Sequence, residues 1–264
     1  MSIEGGIVVG KEILRSATKR LLRMHFEAGV GHIGGNLSVL PILLEIFHDV
    51  KLPDESVVLS KGHAAGALYV SLWTKGLLSD ADLGTFHKDN TLLAGHPPAT
   101  GLPEVPFATG SLGHGLPLAN GLALAERLRG TSRRVFCVTS DGEWNEGSMW
   151  ESLVFAAHQK LGNLCLIVDR NGLQGFGRTS EVADLEPLEQ RFSAFQCDVH
   201  RVNAIEYGSL QPILRECSSD RPRVVIANTV KGRGISFMQN RMEWHYLPMS
   251  REQYDQALLE VCNG

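Results

Sequence analysis

The chain has no C-x-x-C pair, and its five cysteines, Cys137, Cys165, Cys197, Cys217 and Cys262, are odd in number. That pattern excludes a disulfide-stapled fold and a cysteine-built zinc site. Cys137 and Cys165 sit inside apolar runs and read as buried thiols of a reducing cytoplasm. Positive charge is scarce: 25 Lys and Arg face 29 Asp and Glu, a formal charge of −4. No basic surface therefore argues for nucleic acid or membrane as a partner. No apolar run reads as approaching the length of a membrane span. Ile7–Val9 is too short for a secretory signal and charged residues follow at once. Low-complexity tracts and internal repeats are absent. The remaining composition, 43% hydrophobic and 20% charged over 264 residues, suits one large domain with a full core.

Hydrophobic spacing supplies the elements. Ile13, Leu14, Ala17, Leu21, Met24 and Ala28 recur at helical intervals, with Gly29 as a stop. A loop is expected over 31–36. A helix apolar nearly all round follows over 39–47, with Pro41 in its first turn and Ser38 as its cap. A short strand over 57–60 leads to a helix from Ala64 to about Lys75. Residues 84–113, rich in Gly, Pro, Thr and His, form a long functional loop. A helix with small residues spans 115–129. The clearest unit is a strand over 134–139, an amphipathic helix over 146–161 and a strand over 164–169. That sequence of elements is a right-handed crossover in a parallel sheet. Strands over 200–203 and 223–228 and a last helix over 251–262 complete the alternation. The fold expected is α/β: a doubly wound, mostly parallel sheet with helices on both faces.

In such a sheet ligands bind at the carboxyl edge of the strands. Asp141 ends the first strand of the crossover unit, and Asn171 follows the second, 30 residues later. A carboxylate beside an amide carbonyl suits one hard cation that fills its other positions with phosphate and water, as Mg²⁺ does. Gly142 lets a diphosphate approach the backbone, and a helix starting near Glu146 offers free N–H groups. Taken singly, Asp141-Gly142 and Asn171-Gly172 are also ordinary turn pairs. Their joint placement across one βαβ unit is what points to a ligand.

Composition predicts about one Gly-His pair by chance, and the chain has four: Gly31-His32, Gly62-His63, Gly95-His96 and Gly113-His114. All four fall in expected loops, where an imidazole can meet phosphate or carry a proton near neutral pH.

Ser140-Asp141-Gly142-Glu143, followed by Asn145-Glu146-Gly147, Trp150-Glu151 and then Asp169-x-Asn171-Gly172-Leu173, resembles the thiamine-diphosphate motif of transketolases. Ser140 stands where that motif usually has its first Gly. GHIGGNLS (31–38), VLSKGHAAGALY (58–69), GHPP (95–98), TGSLGHGL (109–116), KGRGISFM (231–238) and Trp244-His245 resemble further segments of the family's first domain. They occur in order over nearly the whole chain.

The resemblance implies a fold, a cofactor and a set of roles. Mg²⁺, replaceable by Ca²⁺ or Mn²⁺, would be held by Asp141 and Asn171 through side chains and by Leu173 through its carbonyl. Thiamine diphosphate would touch His63, Gly110, Leu112, Gly142, Glu146, Asn171, Lys231 and His245. His32, His63, His96 and His245 would surround the reacting centre. Glu146 and Glu151 would form an acidic cluster at a subunit contact, and His114 would be structural or lie next to the diphosphate. His25, His48, His87, His158 and His200 carry no expected role. The glutamate that contacts the cofactor's pyrimidine belongs, in the family, to a second domain. The chain ends at Gly264, near the end of the family's first domain, so residues 1–264 are expected to form one diphosphate-binding domain. Its partner would be a C-terminal transketolase subunit with the pyrimidine-binding and C-terminal domains, in an α2β2 assembly in the cytoplasm. The activity implied is transfer of a two-carbon ketol unit from a ketose to an aldose, on sugars or sugar phosphates. A relative devoted to a specialised biosynthetic or sugar-modifying pathway, and a non-catalytic thiamine-diphosphate-binding module, are the alternatives. The α-type subunit of a 2-oxo-acid dehydrogenase shares the metal motif but not the Gly-His loops.

Overall fold

Five short apolar segments line up as one parallel sheet in a computed structural model, which describes residues 3–102, 104–215 and 220–263. Cys217 and Gly264 lie outside the described residues. The strands are β1 (Ser56–Leu59), β2 (Val135–Ser140), β3 (Leu164–Arg170), β4 (Asp198–Asn203) and β5 (Arg223–Asn228). Their order across the sheet is β1-β2-β3-β5-β4, every pair parallel. Period-two alternation divides their side chains between two cores. Phe136, Val138, Cys165, Ile167 and Val225 face one; Val135, Cys137, Leu164, Leu166 and Val224 face the other. The first core is closed by α1 (Ile3–Ala28), α2 (Ile33–Glu45) and α3 (Ala65–Thr74). The second is closed by α4 (Gly115–Leu128), α5 (Gly147–His158) and α6 (Leu188–Ala194). The final helix, α7 (Arg251–Asn263), lies on α1, where Tyr254 stacks on Phe26 at 4.4 Å. The architecture is the doubly wound sheet expected from the sequence. Cys137 and Cys165 are fully buried, as their apolar surroundings in the chain imply.

Several local expectations give way to tertiary packing. The first helix begins at Ile3, well before the apolar period at Ile13. Residues 33–36 are helix, not loop, because α2 starts directly after His32. Gly34 and Gly35 read as loop by propensity, yet both lie in the first turn of α2, and packing is tight at Gly34. A Cβ at Gly34 would lie 3.2 Å from both Lys231 Cγ and Trp244 Cβ. Pro41 is therefore inside the helix and Ser38 is no cap; its hydroxyl lies 2.7 Å from Asp169 Oδ2. A π-helical turn over Ile46–Val50 continues α2. Contrary to the reading that no run approaches a membrane span, Ile33–Val50 is long and apolar enough to cross one. However, 89% of that segment is buried in the protein, where the core accounts for its apolarity. The crossover helix is shorter than expected: Glu146 is extended, α5 starts at Gly147, and a 3₁₀ turn over Gly142–Asn145 precedes it. The edge strand β4 begins at Asp198, two residues before the expected start.

The amino edge of the sheet is closed by a buried ion pair. Arg134 donates to Glu55 Oε1 at 2.5 Å and Oε2 at 2.8 Å, and to the carbonyls of Val50 and Leu214 at 2.9 and 2.6 Å. Both side chains are shielded from solvent. Glu55→Ala removes the carboxylate that Arg134 grips with two buried N–H groups, so urea unfolding should show a loss of about 3–5 kcal/mol. A loss below about 1 kcal/mol, the size typical of an exposed pair, would mean water already serves that site.

Candidate active site

The tips of β2 and β3 meet at the carboxyl edge. The register sets Ser140 beside Asp169, and Asp141 follows at the start of the 3₁₀ turn. Asp141 Oδ1 accepts from Gly142 N at 2.8 Å and Oδ2 from Gly172 N at 2.6 Å. One carboxylate thus joins both loops, and Asn171 is the residue before its partner. Asn171 Oδ1 accepts from Leu173 N at 3.1 Å, and Asn171 Nδ2 lies 3.4 Å from Ser38 Oγ. Burial pushes the Asp141 carboxyl up to about 6, and the Asp169 charge adds to that, against hydrogen bonds from the Gly172 and Gly142 backbones. Gly142 has a packing reason as well, since a Cβ there would fall 2.7 Å from Gln174 Cβ. Ser140 is nearly buried, and its amide donates to Glu143 Oε2 at 3.4 Å.

Behind this junction lies a buried network that the motifs gave no reason to single out. Lys61 Nζ donates to Asp169 Oδ2 at 2.5 Å and to Gly35 O at 3.2 Å. Thr229 Oγ1 donates to Asp169 Oδ1. Glu143, fully buried, accepts from Ser60 Oγ and from Gly113 N, the latter at 3.0 Å.

Three histidines form a triangle: His32 just before α2, His63 in the 3₁₀ turn over Gly62–Ala64, and His245 in a short helical turn over Glu243–Tyr246. Ring centroids are 5.6 Å apart for His32 and His63, 5.2 Å for His32 and His245, and 5.7 Å for His63 and His245. Burial is the main cause that lowers the pKa of all three, to about 3 for His245. Lys231 Nζ lies 2.8 Å from His245 Nδ1. Burial, followed by the charge of Lys61, lowers Lys231 itself to about 8. His96 is exposed and packed on Gly110, where a Cβ would fall 2.5 Å from His96 Cδ2, and after burial its charge is the next cause that lowers His32. Gly110 also holds φ at +142, so glycine is needed there twice over. Leu112 is half-buried in the same turn, and His114 Nδ1 lies 3.1 Å from Leu112 O. Glu146 packs its stem on Gly113 and leaves its carboxylate exposed, as does Glu151 one turn later. Of the histidines without an expected role, His25 is fully buried against the Gly31 turn. Tyr246 OH donates to Gly175 O, tying the His245 segment to the loop after Asn171.

These residues fit a magnesium diphosphate on physical grounds. Lys231 is buried and has no carboxylate partner among the described residues, so an anion would relieve two crowded ammonium groups. Gln174 Nε2 is buried beside Gly142 with no hydrogen-bond partner among the described residues. Asp141 is a carboxylate whose burial calls for a cation. No cluster of three His, Cys, Asp or Glu side chains able to hold a metal occurs among the described residues. The set named from sequence instead combines one carboxylate with an amide and a carbonyl, which suits a cation that keeps phosphate and water.

Fold and site together define a diphosphate-binding α/β domain. Residues 16–259 match the family described as transketolase, thiamine diphosphate binding domain, and the chain belongs to that family. It is 36% identical over 254 residues to one of the subunits of the apulose-4-phosphate transketolase of Phocaeicola vulgatus, covering 92% of this chain and 90% of that protein. It is 31% identical over 246 residues to a 6-deoxy-6-sulfo-D-fructose transketolase subunit of a Clostridium species, covering 89% and 90%. The transketolase structure from Campylobacter jejuni superposes with a TM-score of 0.84 at 26% identity, over 99% of this chain and 43% of that one. The chain therefore spans less than half the length of that solved transketolase.

The neutral form of His245 is favoured in the folded chain. The unfolded chain then binds more protons between about 3 and the ordinary 6.5, and stability falls as pH drops through that window. In histidine-ring NMR, His245 should stay neutral from pH 8 down to about 4.5. Lys231→Met removes the second cause of the depression and should move the His245 midpoint up toward 6.5. An unmoved midpoint would refute the proximity of the two groups in solution.

Proposed function

We propose that this chain is the diphosphate-binding subunit of a two-subunit transketolase, moving a two-carbon ketol unit from a ketose to an aldose. The observation that carries the reading is the carboxylate of Asp141 bridging both strand tips below three neutral imidazoles. Asp141, Asn171 and the Leu173 carbonyl hold Mg²⁺, with Ca²⁺ or Mn²⁺ as substitutes. Gly142, Lys231 and His63 take the diphosphate side of the cofactor, and Gly110 and Leu112 its ring side; the Glu146 amide is already bonded to Glu143 O at 3.0 Å and its exposed carboxylate would repel the diphosphate. When bound, thiamine diphosphate supplies the electron sink that a protein lacks.

The chain's own residues bind the sugar and handle its protons. Lys231 donates to His245 Nδ1, so the neutral imidazole carries its proton on Nε2. His245 is then a hydrogen-bond donor to a sugar oxygen. The rings of His32 and His63 make no hydrogen bond among the described residues, and their depressed pKa values keep them neutral as proton acceptors. His96, exposed at the rim, meets the outer hydroxyl of the donor.

Residues 1–264 form one domain, and the pyrimidine-binding and C-terminal domains come from a partner subunit in an α2β2 assembly. The buried thiols of Cys137 and Cys165 suit a cytoplasmic location. Relatives named for apulose-4-phosphate and 6-deoxy-6-sulfo-D-fructose favour a specialised sugar as the donor.

The test is reconstitution with the partner subunit, thiamine diphosphate and Mg²⁺, scoring glycolaldehyde transfer between sugar phosphates. Chelation should abolish cofactor binding and Mg²⁺ should restore it. Asp141→Ala should weaken cofactor binding by about 100-fold or more, beyond the loss typical of a residue that only supports a metal ligand. A complex that binds the cofactor yet transfers nothing from any ketose would overturn the assignment.

A further inference from the structure

Asn36 lies fully buried in the first turn of α2, outside the cation site and outside the imidazole triangle. Its Nδ2 donates to His32 O at 2.9 Å and to His63 O at 3.3 Å. Its Oδ1 accepts from Ala67 N at 2.7 Å. The amide orientation follows from chemistry, since two carbonyls need the NH₂ and one backbone N–H needs the oxygen. Ala67 N is one of the unpaired donors at the start of α3. A single planar group therefore ties together the turn before α2, the 3₁₀ turn over Gly62–Ala64 and the first turn of α3. Those segments carry His32 and His63.

The turn needs such a restraint. His32 holds φ at 65, in the left-handed region, which persists for a residue with a side chain only when its surroundings enforce it. His25 supports the turn from behind, its Nδ1 lying 2.9 Å from Gly31 O while Nε2 has no partner among the described residues. The front is set by His245, whose carbonyl accepts from His32 N at 3.1 Å.

We propose that Asn36 is a positioning residue whose carboxamide sets the separation and aim of His32 and His63 by hydrogen-bonding both backbones. The inference rests on the catalytic reading of those two histidines. No other side chain of this size supplies two donors and one acceptor in one plane. Alanine supplies none, aspartate turns acceptors toward carbonyls, and serine has one proton to give.

The test uses the full chain with ¹⁵N-labelled histidine rings, and the reconstituted complex with its partner, cofactor and Mg²⁺. Asn36→Ala should lower kcat by about 10–100-fold, the scale of loss from misplacement near 1 Å. The donor KM should change by less than about threefold, because substrate binding is not what is lost. The His32 and His63 ring signals should move from their wild-type positions in the same variant. Asn36→Ser, which keeps one donor and guards against loss of the fold, should recover part of kcat. The proposal is overturned if the ring signals and kcat match wild type, or if the activity loss vanishes on correction for the folded fraction. His32→Ala and His63→Ala separate the two levels. Full transfer by both would remove the catalytic reading, and unmoved ring signals in Asn36→Ala would remove the positioning role whatever those variants do.

Discussion

A carboxylate at the buried tip of a parallel strand has to be surrounded by donors, and Asp169 shows how much structure that requires. Lys61 and the Ser38 hydroxyl reach one of its oxygens and Thr229 the other. Lys61 arrives from the loop after β1, Ser38 from α2 and Thr229 from the end of β5. Removing a partner from a pair this deep strands a charge, which is far more costly than an exposed pair ever is. The four segments therefore form together. The rest of the carboxyl edge hangs from them: α2 brings His32, the Lys61 loop brings His63, and the tip of β3 leads into Asn171.

The same requirement fixes the electrostatics. Lys61 is neutralised by Asp169, but Lys231, buried near it, bonds to an imidazole and forms no ion pair among the described residues. Two ammonium groups and three uncharged imidazoles make a site that is short of negative charge, next to a carboxylate that is short of a cation. The magnesium diphosphate we propose would satisfy both deficits at once. Burial is the main cause of the low pKa values of these histidines and the lysine charges add to it, so the imidazoles are neutral near pH 7.

Parts of this site are legible in the residues alone. Four Gly-His pairs exceed chance, and Asp141 and Asn171 stand at the two ends of one βαβ unit, so crossover topology is enough to bring them to one edge. The triangle of His32, His63 and His245 joins segments more than 180 residues apart in the chain, and no spacing rule reaches that far. Lys61 and Asp169 are visible inside their motifs, but a lysine in a loop reads as solvent-exposed until its partner is known. Asn36 reads as loop because Gly34 and Gly35 precede it. The structure has helix there, with Gly34 packed close to Lys231 and Trp244, a tertiary contact that local propensity does not contain. Ile33–Val50 misleads in the same way, since its apolarity reports burial in a core.

Alternation of apolar residues by itself determined the class of fold, because the period of two in the strands and of about 3.6 in the helices leaves few ways to bury both. Motif residues at strand ends determined which edge would carry chemistry. Only the tertiary structure decided which histidines share a pocket, which lysine is neutralised and which is left for a ligand, and that one asparagine holds two loops together. Those facts depend on distances across the chain, set by how helices pack on the sheet, and such distances are not encoded in any local run of residues.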